Sequence, residues 1–196
     1  ALDRFYSVRI QEQSKNSKKL IKKAMAEGQK DHLRKLIKGF ERVQTIQDAL
    51  SDARLKADKL AEKLHEGQTD KSGNPYIDHV RDVADRVSSL GENYVIVGLL
   101  HDSVEDTDIT LEKIEEEFGK DVRDGVDGMT KREGEDYFDD YLPRVASNEI
   151  SRNVKIADSS HNLSKNHLLK DPELRGKLKQ KYTSVLQFLE GGFGIP

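Results

Sequence analysis

Val95-Ile96-Val97-Gly98-Leu99-Leu100-His101-Asp102, continuing into Ser103-Val104-Glu105-Asp106-Thr107, is the stretch around which the rest of the chain is organised. Six apolar residues in a row belong inside a protein, and these run straight into an imidazole and a carboxylate. Such groups are seldom buried without a partner or a metal ion. The pattern predicts one helix from about Asn93 to Glu105. On it, His101 and Glu105 lie one turn apart on one face, with Asp102 and Asp106 on the adjoining face. One nitrogen and three carboxylates then border one small volume.

Working outward, the apolar spacing is helical almost everywhere. Toward the N-terminus, Pro75 opens a helix with Ile77, Val80, Val83, Ala84, Val87 and Leu90 inward, which Gly91 ends; His79 stands at the edge of that stripe. Before it, residues 67–75 (GQTDKSGNP) are a loop on turn chemistry alone. Asp52 caps a helix with Leu55, Leu60, Ala61 and Leu64 inward. Lys-rich residues 3–27 and residues 31–46 read as two further helices. Toward the C-terminus, Thr110 caps a short helix closed by Gly119, and Asp121 to Thr130 forms another. A helix over Tyr137–Val145 is disturbed by Pro143. The next carries Ile150, Val154 and Ala157 inward together with Asp158, and Pro172 opens the last, with Leu178, Tyr182, Val185 and Leu189 inward. Strand signals are weak, so the predicted class is all-α.

Composition narrows the function. No cysteine is present, which excludes disulfides and thiolate metal sites and fits a reducing, cytoplasmic setting. No apolar run approaches the roughly 20 residues of a membrane span. The net charge of -3 hides an asymmetry: residues 1–50 carry twelve Lys/Arg against six Asp/Glu, and the remainder 21 against 30. A basic arm over 1–50 on an acidic body over 51–196 could meet an acidic partner or a second copy in a homo-oligomer, or could be a solvated helix surface. Nucleic acid is not the expected partner; a small molecule is.

His79, His101, Asp102 and Asp158 are the candidate ligands of one divalent ion. Two imidazoles with two carboxylates form a set suited to Mn, Fe, Co, Ni or Zn more than to Ca. Such an ion lowers the pKa of bound water and polarises a phosphoryl oxygen. Any one of these residues alone also reads as an ordinary structural group, and spacing does not by itself bring three helices together. His32, His65, His161 and His167 are read as structural.

His101-Asp102-Ser103-Val104-Glu105-Asp106-Thr107 resembles the H-D-x-x-E-D-T signature of HD-superfamily hydrolases of the RelA/SpoT type. Gly67-Gln68 with Lys71-Ser72-Gly73-Asn74-Pro75-Tyr76-Ile77-Asp78-His79 resembles that family's G-Q-x-R-K-S-G-x-P-Y-I-x-H. Thr130-Lys131 is similar to its T-K, and Lys155-Ile156-Ala157-Asp158 with His161-Asn162 to its K-L-A-D-R-L-H-N. These blocks occur in family order over about residues 55–170. The resemblance implies an HD-domain helical bundle over 51–196, extended by the basic helical segment 1–50. It implies that His79, His101, Asp102 and Asp158 hold a metal, usually Mn²⁺, and that Glu105 and Asp106 position and activate the attacking water. Lys71, Ser72 and Asn162 match substrate-binding positions, while Lys131 and Lys155 could meet phosphates or serve as surface charges.

The implied reaction is hydrolysis of the 3′-pyrophosphate of guanosine tetra- or pentaphosphate, as in a small stand-alone alarmone hydrolase without a synthetase domain. Departures from the pattern cluster around the substrate: Asp70 stands where an Arg able to stack on a base is usual, Ser159 follows Asp158, and Ser164-Lys165 replaces R-T. The alternatives are an HD-type nucleotidase or deoxynucleotide phosphohydrolase, and a non-catalytic nucleotide-sensing HD module.

Overall fold

A computed structural model of the protein describes residues 52–191 and the single positions 19, 20, 23, 35 and 38. The chain divides into two units, residues 1–52 and 53–196. Apart from those five positions, which are helical, the helices predicted over 3–27 and 31–46 lie outside the described residues.

The second unit is all-α. Its helices are α1 (residues 52–64), α2 (Tyr76–Arg86), α3 (Glu92–Leu100), α4 (Ser103–Asp106), α5 (Leu111–Phe118), α6 (Lys120–Met129), α7 (Leu142–Ser147), α8 (Glu149–Lys165) and α9 (Pro172–Glu190). A π-helical turn, Tyr137–Tyr141, leads into α7, and a 3₁₀ turn, Asn166–Leu168, follows α8. Among the described residues the only β pairing is one isolated bridge, Thr69 with Pro75, inside the loop before α2.

The apolar run forms the centre. Val95, Ile96, Val97, Gly98, Leu99 and Leu100 are all buried, as a helix apolar on every side must be. α2, α6 and α8 pack around it. Ala57 and Ala61 of α1, Val80 and Val83 of α2, Ile114 of α5, Val122 and Val126 of α6, and Val154 of α8 complete this core. A second cluster joins Tyr141, Leu142 and Val145 to Val185 and Leu189, and so fastens α9 to α7. At the other side, Arg81 of α2 grips Asp58 of α1 through two bonds of 2.7 and 2.8 Å.

Several boundaries differ from the sequence expectations. The helix predicted over 93–105 divides at His101-Asp102, a turn in which Asp102 sits at the edge of the helical region (φ -100°, ψ -1°) before α4 begins. α2 stops at Arg86 and the chain turns through 87–90, so Leu90 is exposed rather than inward. Gly91 ends nothing; at φ +137°, which only glycine adopts without strain, it opens α3. Leu55 is also exposed, the inner face of α1 being Ala57 and Ala61. The disturbance expected at Pro143 is real and falls earlier. Proline lacks the N–H that would bond the carbonyl four residues back, and the preceding turn widens to a π turn. Thr110 caps α5 as predicted, accepting from the Lys113 N–H at 3.3 Å, and Gly119 closes it at φ +87°.

Candidate metal centre and its cleft

Three elements deliver the four predicted ligands. α2 presents His79 from its first turn, the break after α3 presents His101 and Asp102, and α8 presents Asp158. His101 is fully buried, and its Nδ1 lies 2.8 Å from the Gly98 carbonyl. With a ring N–H donated there, Nε2 faces Asp102 Oδ2 at 2.9 Å, in a contact outside hydrogen-bond geometry. Two electron-rich atoms that close repel unless a proton or a cation lies with them. His79 Nε2 stands 3.8 Å from the same carboxylate and 3.4 Å from Asp158 Oδ1. One ligand atom from each of His79, His101 and Asp102 falls within 4.8 Å of the others. The donor set therefore fits a divalent ion.

Asp158 stands outside that group of three: its first oxygen, beside His79, receives the Asn162 amide at 2.5 Å, and its second lies 3.0 Å from Lys155 Nζ. The electrostatics follow from burial. Desolvation lowers the pKa of His101, but the Asp102 carboxylate outweighs it and lifts the imidazole to about 9. Desolvation raises Asp102, yet His101 holds it well below the usual carboxylate range. Asp158 is likewise pushed up by burial but held far down by Lys155, while Lys155 stays charged through Asp158 despite its own burial.

The surroundings lock these side chains in place. The Tyr76 hydroxyl donates to Asp102 Oδ2, and the Tyr76 ring sits 5.0 Å from that of His65 and 5.2 Å from that of His79. The His161 ring meets His79 edge-on at 4.8 Å, with its Nδ1 2.8 Å from Asp82 Oδ1. His65 and His161, expected only as structural residues, both belong to the stack of rings around the centre.

A cleft of about 490 Å³ opens from these groups. Glu105 lines it, its Oε2 accepting from the Lys131 N–H at 2.9 Å, and burial raises its pKa against that bond. Asp106 is not among the lining residues; burial and then Asp102 raise its pKa, and its backbone carbonyl receives the Gln68 amide at 3.4 Å. Lys71, Ser72 and Asn162 line the cleft, and so do Lys131 and Lys155. Asp70 lines it as well, but not as a freed anion. Its Oδ1 accepts the Ser72 and Asn74 N–H groups at 2.8 and 2.9 Å and so closes its own turn.

Lys165, Lys181, Tyr137, Tyr141 and Tyr182 also line the cleft and were not anticipated as site residues. Lys165 could have been found: it follows Asp158 by seven and Asn162 by three, which keeps all three on one stripe of α8. Nothing in the spacing points to Lys181 and Tyr182, because the angle at which α9 crosses α8 is a property of packing alone. Lys181 Nζ lies 4.0 Å over the Tyr137 ring, and Lys71 Nζ lies 3.5 Å from the Tyr182 hydroxyl.

A family model described as "HD domain" matches residues 57–156, more than half of the chain. Curated relatives include the GTP pyrophosphokinase of Myxococcus xanthus, 33% identical over 156 residues, which are 71% of this chain and 20% of that protein. The guanosine-3′,5′-bis(diphosphate) 3′-pyrophosphohydrolase of Aquifex aeolicus (strain VF5) is 44% identical over 78 residues, 39% of this chain and 11% of that protein. The chain thus matches a fifth or less of the length of either relative. Among solved structures, one described as a metazoan orthologue of SpoT that hydrolyses ppGpp superposes with a TM-score of 0.64. It is 25% identical, over 71% of this chain and 86% of its own.

Proposed function

This chain belongs to the HD-domain family, and on that premise we propose that it is a metal-dependent phosphohydrolase that removes the 3′-pyrophosphate of guanosine tetra- or pentaphosphate. The products are pyrophosphate and GDP or GTP. One observation carries the reading. The imidazole–carboxylate cluster and an excess of unpaired ammonium groups face the same cleft. Of its five lysines only Lys155 pairs with a carboxylate; Lys71, Lys131, Lys165 and Lys181 have no such partner among the described residues. A cleft so charged suits a ligand bearing several phosphates.

His79, His101, Asp102 and Asp158 would hold the ion; the donor set suits Mn, Fe, Co, Ni or Zn, and the resemblance to RelA/SpoT-type hydrolases favours Mn²⁺ among them. When bound, it supplies a lowered pKa for a coordinated water and a positive charge for phosphoryl oxygens. The protein's own groups do the rest. Glu105, with its pKa raised by burial, takes the proton of the attacking water. Asp106 supports it from beside the cleft, its own pKa raised by burial and by Asp102. Asn162 and Ser72 orient the nucleoside, and Lys71 and Lys131 draw the negative charge of the phosphates away from the scissile ester. The P–O3′ bond breaks as water attacks phosphorus, and the ribose oxygen leaves, taking a proton from solvent to become the 3′-hydroxyl.

We also assign residues 1–50 to a basic arm, packed on or appended to the body and available to an acidic partner or a second copy of the chain, and place the protein in the cytoplasm. Among the described residues, no helix is long and apolar enough to cross a membrane. The test is a panel of ppGpp, pppGpp, ppApp, deoxynucleoside triphosphates and nucleoside monophosphates with Mn²⁺, run against a chelator control. Pyrophosphate released from ppGpp bears the proposal out. Phosphate or triphosphate released from deoxynucleotides instead makes the protein a deoxynucleotide hydrolase, and binding without turnover makes it a sensor.

A further inference from the structure

Glu105 extends from α4, a helix of four residues that is too short to hold a side chain in place by itself. Its carboxylate is fastened from outside, by the Lys131 N–H at 2.9 Å. That N–H belongs to the segment 130–136 just after α6, so whatever fixes this backbone fixes Glu105.

Arg144 does so. Its Nη1 donates to the Asp127 carbonyl and its Nη2 to the Thr130 carbonyl, both at 2.8 Å. These are carbonyls at the C-terminal end of α6, where backbone partners run short; the Asp127 carbonyl also receives the Thr130 N–H, at 3.2 Å. Nε and Nη2 also grip the two oxygens of Glu135, again at 2.8 Å each. Glu135 in turn accepts the Arg132 N–H at 2.8 Å. The guanidinium lies 5.6 Å from the Tyr141 ring, and the Tyr141 hydroxyl donates to the Met129 carbonyl. Both ends of the segment are thereby tied to α7. Arg144 and Glu135 are only 20% and 15% exposed, so this two-bond pair is shielded from water, unlike an ordinary surface pair. Arg144 is not among the residues lining the cleft.

We infer that Arg144, paired with Glu135, is a positioning residue: it holds the Thr130–Lys131 peptide where its N–H orients the Glu105 carboxylate toward the cleft. The inference rests on the proposed role of Glu105 in activating water. A lysine does not replace this arginine, since one ammonium cannot grip two carbonyls and both oxygens of a carboxylate from one plane.

The test uses Arg144→Met, Arg144→Lys, Glu135→Gln, Glu105→Gln and the double variant Arg144→Met/Glu105→Gln in the full chain, with Mn²⁺ and ppGpp. Arg144→Met is expected to lower kcat about 30-fold, with KM and the Mn²⁺ Kd changed less than about threefold, and Glu135→Gln to lower kcat about fivefold, the scale for loss of an orienting contact. Arg144→Lys should not rescue. The double variant should be no slower than Glu105→Gln alone, a non-additivity that a merely structural residue does not produce. Amide exchange gives a readout independent of turnover: the Lys131 amide should lose protection in Arg144→Met and in the double variant, while α2 and α3 keep theirs. If wild type does not cleave ppGpp but these exchange effects appear, the functional reading fails and the positioning contact stands. Wild-type kcat in Arg144→Lys and Glu135→Gln, or full additivity in the double variant, overturns the inference. So does unchanged Lys131 protection in folded Arg144→Met and the folded double variant.

Discussion

Gly98 of α3 and Ala84 of α2 meet backbone to backbone: a Cβ placed on Gly98 would lie 2.8 Å from the Ala84 Cα and 3.1 Å from its nitrogen. No side chain can move aside to relieve that contact. The crossing it permits draws α2 against α3, and the His79 and His101 rings that these helices carry stand 5.4 Å apart. The carbonyl of the same glycine receives the His101 Nδ1. Gly98→Ala is therefore expected to cost about 1–3 kcal/mol of stability, the range for overpacking a core. It should also weaken Mn²⁺ binding, because the two imidazoles part. Thermal unfolding and metal titration of the one variant check both.

Tyr76→Phe removes the hydroxyl that donates to Asp102 and keeps the ring between His65 and His79. Partners of ligands typically contribute about 10- to 100-fold to metal affinity. A Kd for Mn²⁺ weakened about tenfold, with little change in melting temperature, is the expected outcome. Isothermal titration measures it, and an unchanged Kd would show that the hydroxyl does not tune the carboxylate.

His101 is fully buried and faces a carboxylate, so a bound ion should stabilise the fold and not merely activate it. Saturation at 100 times the Kd corresponds to about 2.7 kcal/mol. Adding Mn²⁺ should raise the melting temperature of the wild type, and a chelator should reverse the rise. His101→Asn should show neither response.

The pH dependence of stability has a defined contributor in Glu135. Its carboxylate is drawn from an ordinary 4.5 to about 2, chiefly by its bonds with Arg144. A carboxylate depressed in the folded state stabilises above its unfolded pKa, and that stability fades as pH falls through the folded value. The wild type should thus lose stability relative to Glu135→Gln between about pH 4.5 and 2, with the difference constant above that window. Urea unfolding of both proteins across the acid range decides it.

Lys165 and Lys181 have no carboxylate partner among the described residues. Replacing either by Ala should raise KM for ppGpp by about tenfold, leave kcat near wild type, and flatten the rise of KM with salt. Steady-state kinetics from low to moderate ionic strength test this. A fall in kcat at unchanged KM would place the lysine at the reacting phosphate instead.

The placement of most helices was legible in the sequence because helix formation and burial leave a local record. The Thr110 cap, the Gly119 stop and the stripes of α6 and α8 are all set by residues within a turn or two of one another. The misjudged positions share a different cause. Leu55 and Leu90 carry the right chemistry for an inner face and lie exposed: packing alone decides which face of α1 is covered at Leu55, and the helix before Leu90 ends at Arg86. The break at His101-Asp102 was hidden for the same reason.

By itself the sequence determined an all-α body, a buried central helix ending in His-Asp, and a candidate set of imidazoles and carboxylates, through periodicity and order of motifs along one dimension. Only the tertiary structure decided that α2, α3 and α8 converge so that His79 stands within 4 Å of both Asp102 and Asp158. It alone added Lys181 and Tyr182 from α9, turned Asp70 into its own loop, and tied Glu105 to Lys131 across 26 residues. Those relations depend on crossing angles and close approaches between distant segments, which spacing along a chain does not encode.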